Sequence, residues 1–172
     1  VVVVANHPHG LSDGIMFGEL LTRVREDVRI LVNEQLSLCG ELDPWLIKVD
    51  VYEDENARRK NLSGMRKMIS WLRQGGVLGI FPAGTVSSFS LAHKRVTDDP
   101  WNANIAAIIR MTKATVVPVY FPGRNSLLFQ GISLINRKAR VAFLPREVGR
   151  DGRRTHRIVV GKPIPFSQLG QY

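Results

Sequence analysis

The sequence predicts an α/β fold: one domain with a mixed, mostly parallel sheet flanked by helices. Short apolar runs that read as buried strands (Val1–Ala5, Val77–Phe81 and Thr115–Phe121) alternate with longer segments of helical apolar period. The longest of these segments stops at Gly75-Gly76, immediately before the second run, as a helix C-terminus does. No repeat, linker or low-complexity stretch divides the 172 residues, and 44% apolar content suffices for one core, so residues 1–172 are expected to form a single domain.

In chain order, Val1–Ala5 is the first strand. A helix is expected near Gly14–Glu26, with Ile15, Met16, Leu20, Leu21 and Val24 on one face and Asp13 at its N-cap. Arg29–Val32 and Ile47–Tyr52 are short strand candidates, separated by an irregular or helical stretch that holds Leu36, Leu38, Leu42, Trp45 and Leu46. Asn56–Gln74 is strongly amphipathic, with Met65, Met68, Ile69 and Leu72 on its inner face. After the Val77–Phe81 strand a polar loop with two charge clusters reaches Pro100, and Trp101–Lys113 has helical period. Thr115–Phe121 is a strand whose Pro118 argues for an edge or a bulge. Arg140–Leu144 and Arg157–Val160 close the series as strands.

The charge is lopsided: 24 Lys and Arg against 15 acids give a net +9 and a pI near 10.3. From Arg137 to Tyr172 nine basic residues face only Glu147 and Asp151, so this segment alone carries +7. Anionic partners follow: a phosphorylated substrate, an anionic membrane surface, nucleic acid or an acidic carrier protein. Aromatics are only 8% and no stacking motif accompanies the basic tail, which argues against nucleic acid. A single cysteine, Cys39, excludes an internal disulfide and suits a reducing compartment. No run reaches the roughly 18 apolar residues of a spanning helix. The first residue is not Met and already lies in a strand, so the domain is expected to be cut from a longer chain.

Ligands of open α/β sheets sit beyond the carboxyl ends of the strands. The first strand ends in Asn6-His7-Pro8-His9-Gly10-Leu11-Ser12-Asp13, and a later one in Phe81-Pro82-Ala83-Gly84-Thr85. A histidine there, with Asp13 fixing its tautomer, is a candidate general base. His7 fits that role. His9, four residues before Asp13, could be the base in its place or simply be a loop residue beside the site. The glycine and hydroxyls of Gly84, Thr85, Ser87 and Ser88 suit a phosphate-contacting turn. Arg58 and Arg59 at the start of the long helix, and Arg124 just past a strand, are candidate substrate anchors. A His-x-His metal site is the rival. Zinc asks for three or four ligands, and only His93 and His156 remain, outside any cluster, so no metal is expected.

Together these residues resemble the lysophospholipid (glycerolipid) acyltransferase family over almost the whole chain. Asn6-His7 through Asp13 is similar to its first block, whose His and Asp form the catalytic pair. Phe81–Thr85 is similar to the third block, with Ala83 where Glu is usual, and Val117-Pro118-Val119-Tyr120 to the fourth. The second block falls near Val49–Arg59. Five residues separate His7 from Asp13, where the family has four, and Gly-Arg-Asn-Ser follows the fourth block. These features resemble the hemolysin-related branch, which includes relatives of ornithine-lipid acyltransferases, and favour His7 over His9 as the base.

The resemblance implies an acyltransferase that needs no cofactor. His7, oriented by Asp13, would deprotonate a hydroxyl or amine of a lysophospholipid-like or ornithine-lipid-like acceptor. The nucleophile would then attack an acyl-CoA or acyl carrier protein thioester, with N–H groups or Arg stabilising the oxyanion. Catalytic His7 and Asp13 would be joined by Asn6, His9, Arg58, Arg59, Gly84, Thr85 and Arg124 in substrate binding. The implied setting is cytoplasmic and peripheral to an anionic membrane. The alternatives are a metal-dependent hydrolase using His7 and His9, or an inactive, lipid-binding relative marked by Ala83.

Overall fold

A computed structural model describes residues 1–33, 40–49, 55–137, 139–151 and 155–169, with the side chains of 40–42, 55–61 and 151 outside that description. Its centre is a six-stranded sheet in the order β3-β2-β4-β1-β7-β8. The strands are β1 (Val2–Ala5), β2 (Val28–Asn33), β3 (Leu46–Val49), β4 (Val77–Ile80), β7 (Val116–Tyr120) and β8 (Val159–Val160). The first five run parallel and β8 pairs antiparallel with β7. This is the predicted mixed, mostly parallel sheet.

β1 lies between β4 and β7 and is buried at every position. Successive side chains of a strand point to opposite faces. Val2 and Val4 therefore pack with Met68 and Leu72 of α2 (Glu55–Arg73) and with Ile105 and Ile108 of α3 (Ala103–Thr112). Val3 and Ala5 pack on the other face with Phe17 and Leu21 of α1 (Leu11–Thr22). A strand covered on both faces reads as an unbroken apolar run, which is why Val1–Ala5 stood out.

Several expectations shift. α1 starts three residues earlier than the expected Gly14, so Asp13 is its third residue instead of its cap. Gly10, at φ +68°, makes the turn that permits the early start, and a Cβ there would come within 2.7 Å of the Leu144 side chain. The buried face of α1 is accordingly Ser12, Asp13, Phe17 and Leu21, while Ile15 and Val24 are exposed. β3 covers only the start of the expected Ile47–Tyr52 strand, and residues 50–52, like Leu36 and Leu38, lie outside the described residues.

Pro118 faces the β8 side, where its carbonyl accepts the Gly161 N–H at 2.8 Å and its missing N–H costs the β1–β7 ladder nothing. The polar loop contains a small hairpin, β5 (Ser88–Ser90) and β6 (Arg95–Thr97), too short to register as strands in sequence. The expected strand at Arg140–Leu144 is instead a 3-10 turn (Ala139–Phe143) running into α5 (Leu144–Asp151). Pro145 suits a helix's first turn, and Arg140 is buried where a strand would have carried it outward. Between β7 and that turn lies an unexpected helix, α4 (Leu127–Ile135), and α6 (Phe166–Leu169) ends the described chain.

Candidate active site

The carboxyl ends of β4, β1 and β7 deliver Phe81, Asn6-His7 and Phe121 side by side. The Asn6 side chain continues the ladder beyond β1: its Nδ2 donates to the Phe121 carbonyl at 2.8 Å and its Oδ1 accepts the Phe121 N–H at 2.7 Å. This clamp fixes the outgoing β7 loop against the histidine loop.

The His7 ring stacks on Phe81 with centroids 4.0 Å apart and planes at 28°. Phe81 in turn packs against Phe17 and Phe121, so the imidazole rests on a rigid aromatic floor. His7 Nδ1 lies 3.3 Å from Asp13 Oδ2, the His7 side chain is 13% exposed, and Asp13 is fully buried. Asp13 Oδ2 also accepts the N–H groups of His9 at 2.6 Å and Gly10 at 3.0 Å. A carboxylate in the first turn of a helix sits where the backbone dipoles favour negative charge. One buried oxygen thus closes the whole His7–Gly10 loop.

The backbone of His7 is pinned from both sides by the excursion after β4. Its carbonyl accepts the Ser87 N–H at 2.8 Å, and its N–H donates to Asp98 Oδ1 at 3.2 Å. The Ser87 hydroxyl donates to the same Asp98 oxygen, and Trp101 Nε1 donates to the other at 3.3 Å. Asp98 thus adjoins the candidate site, and sequence reasoning missed it. Its signal was the Asp98-Asp99-Pro100 run, which reads only as a charged loop until the β5–β6 hairpin folds it back. A cleft of about 220 Å³ adjoins this corner, lined by Asn6, Pro8, Ser87, Thr97, Asp98 and Gly123 among others.

His9 has a different setting. It is 4% exposed, its Nε2 is 3.0 Å from the Pro122 carbonyl oxygen, and its ring meets His156 edge-on at 5.2 Å. Gly84 opens a turn at φ +66° after its N–H reaches the Phe81 carbonyl at 3.0 Å. The Thr85 hydroxyl donates to Asp99 at 2.5 Å, and Arg137 binds the same Asp99 oxygen. That guanidinium, with the Thr85 hydroxyl second, holds the Asp99 carboxyl below its ordinary range, while burial lowers the pKa of neighbouring Arg140. Arg124 is exposed on the loop after β7. Beside it, Asn125 is 2% exposed, and neither of its side-chain polar atoms has a hydrogen-bond partner. Arg58 and Arg59 fall in the first turns of α2, with side chains outside the described residues. Among the described residues no three of His, Cys, Asp and Glu converge as metal ligands would.

A family model described as acyltransferase matches residues 1–171. Two curated proteins, each named lyso-glycine lipid O-acyltransferase, are 28% identical in alignments of 171 positions that cover 95% of the chain; they come from Bacteroides thetaiotaomicron and Phocaeicola vulgatus. The chain spans 60% of the first and 58% of the second.

Proposed function

The chain belongs to the acyltransferase family, and on that premise we propose that it transfers a fatty acyl group from an acyl thioester to a hydroxyl of a lyso-lipid, with His7 as general base. The observation that carries the reading is the His7–Asp13 pair: 3.3 Å between Nδ1 and the carboxylate, on an imidazole resting on Phe81 at the carboxyl end of the central strand. With Nδ1 turned to Asp13, Nε2 is the nitrogen left to take the acceptor's proton. The oxygen then attacks the thioester carbonyl, and the thiol of CoA or of an acyl carrier protein leaves with a proton returned by the imidazole. The names of the two relatives favour oxygen over nitrogen as the acylated atom and a lyso-glycine lipid or similar amino-acid lipid as acceptor. The net charge of +9 suits a donor that is anionic, whether CoA phosphates or an acidic carrier, and a peripheral position at an anionic lipid surface.

The test is conversion of a lyso-glycine lipid to its diacylated product with acyl-CoA or acylated carrier protein as donor. Wild-type protein forms product with one donor and His7→Ala does not. Equal turnover by His7→Ala removes the assigned base, and stoichiometric metal required for turnover would favour a hydrolase-like centre at His7 and His9.

A further inference from the structure

α4 is folded inside out. Its sequence, Leu127-Leu128-Phe129-Gln130-Gly131-Ile132-Ser133-Leu134-Ile135, buries Phe129, Gln130 and Ser133 against the protein. Leu127 (77% exposed), Leu128 (49%), Leu134 (51%) and Ile135 (89%) face outward with Gly131 between them. Those positions follow the i, i+1, i+4, i+7, i+8 spacing of a single helical face. The inversion is anchored: Gln130 Oε1 accepts the Phe89 N–H of β5 at 2.8 Å, the Ser133 hydroxyl donates to the Phe129 carbonyl, and Phe129 packs on Val86 and Leu144. At the N-terminus the Ser126 hydroxyl both caps the helix and donates to buried Glu147 at 2.6 Å. The face that carries Phe129, Gln130 and Ser133 is thereby committed inward, and the aliphatic side chains of Leu127, Leu128, Leu134 and Ile135 are exposed.

We propose that this outer face of α4 is a docking surface for an anionic lipid bilayer, lying in the interface plane. Charge selects the bilayer over an apolar protein partner. Exposed Arg124 stands just before the helix, and no acid lies between it and Arg146 in the chain. Exposed Lys94 and Arg95 belong to the hairpin on which α4 rests. An exposed apolar helical face on the same part of the molecule as the exposed cations Lys94, Arg95 and Arg124 suits an interfacial helix, in which acyl contacts and anionic headgroups both contribute. At nine residues the helix is about 13 Å long and lies on a bilayer instead of crossing it. The proposal deepens the peripheral placement above by naming the surface, yet stands without the acyl-transfer chemistry.

The experiment uses the full-length protein and vesicles of phosphatidylcholine with phosphatidylglycerol, compared with phosphatidylcholine alone, read by co-sedimentation and by amide hydrogen exchange. The mixed vesicles are expected to bind the protein and slow exchange across residues 124–137. The double variant Leu134→Gln/Ile135→Gln, which alters only exposed side chains, should bind roughly tenfold more weakly while keeping its melting temperature. Unchanged exchange at 124–137, or wild-type binding by the double variant, overturns the proposal. So does a wild-type dimer that the double variant converts to monomer, because a second copy then covers the face. His7→Ala should bind vesicles normally, so loss of turnover in that variant and loss of docking in the α4 variant report separately on the two readings.

Discussion

His7 and Asp13 meet at 3.3 Å through the one carboxylate oxygen that also holds the N–H groups of His9 and Gly10. The same oxygen thus faces the imidazole and closes its loop, so on the proposed reading substitutions at the two positions should differ in kind. His7→Ala removes a partly exposed ring and should lower turnover about 10²- to 10⁴-fold with little change in melting temperature. Asp13→Asn keeps an oxygen for the two N–H groups but loses the charge that orients the imidazole, so both turnover and stability should fall. Steady-state rates alongside thermal unfolding separate the two. A stable Asp13→Asn protein with full activity would show that His7 needs no orienting carboxylate.

Gly123 is the second test of this corner. Its φ of +107° disfavours any side chain, and a Cβ would stand 2.9 Å from His9 Nε2. Gly123→Ala should cost about 1–3 kcal/mol, from backbone strain and the displaced ring. His9→Ala, which empties a buried position under Pro122, should lower stability more than it lowers kcat. Urea midpoints beside kinetics check both. A collapse of kcat in a stably folded His9→Ala protein would move the base from His7 to His9.

The fold was legible because its central strands are covered on both faces and so appear as unbroken apolar runs, with helices of ordinary amphipathic period between them. His7 and Asp13 were legible because they sit at a strand end only six positions apart. α4 was invisible for a physical reason: its leucines face out and its Gln130 and Ser133 face in, the reverse of the pattern that sequence reading relies on. Asp98 was hidden by distance, since its contact with the His7 N–H spans 91 positions through a hairpin of three-residue strands. Arg140–Leu144 misled because apolar residues around a buried arginine mimic a strand.

Asp99 supplies a pH dependence. The Arg137 guanidinium, followed by the Thr85 hydroxyl, holds its folded pKa below the unfolded value of 3.8. A depressed carboxyl contributes stability that is fully present above the unfolded pKa and is lost as pH falls through the folded one. Both partners are partly exposed, so the contribution should stay under about 1 kcal/mol and shrink in salt. Asp99→Asn should thus be slightly less stable than wild type from pH 5 to 8, with the two converging below about pH 4. Denaturant titrations across that range check it. A difference that persists undiminished in acid would assign the loss to packing or to the Thr85 hydrogen bond instead of to charge.

Asp98 should prove a positioning residue for His7. Its Oδ1 accepts the His7 N–H at 3.2 Å together with the Ser87 hydroxyl, while the Ser87 N–H returns to the His7 carbonyl at 2.8 Å. The imidazole is therefore held by its own backbone as well as by Asp13 and Phe81. Asp98→Asn retains an acceptor oxygen but weakens two hydrogen bonds that the carboxylate strengthens, at a cost of about 1–3 kcal/mol. Because Asp98 acts through His7, kcat should fall several-fold while KM for the acyl donor stays near wild type. The discriminating measurement is that kcat–KM split, repeated in Ser87→Ala, which removes the hydroxyl and leaves the His7 N–H contact in place. If Ser87→Ala loses as much kcat as Asp98→Asn, the Ser87–Asp98 bond sets the loop. If it loses little, the direct bond from Asp98 to the His7 backbone holds the base in register.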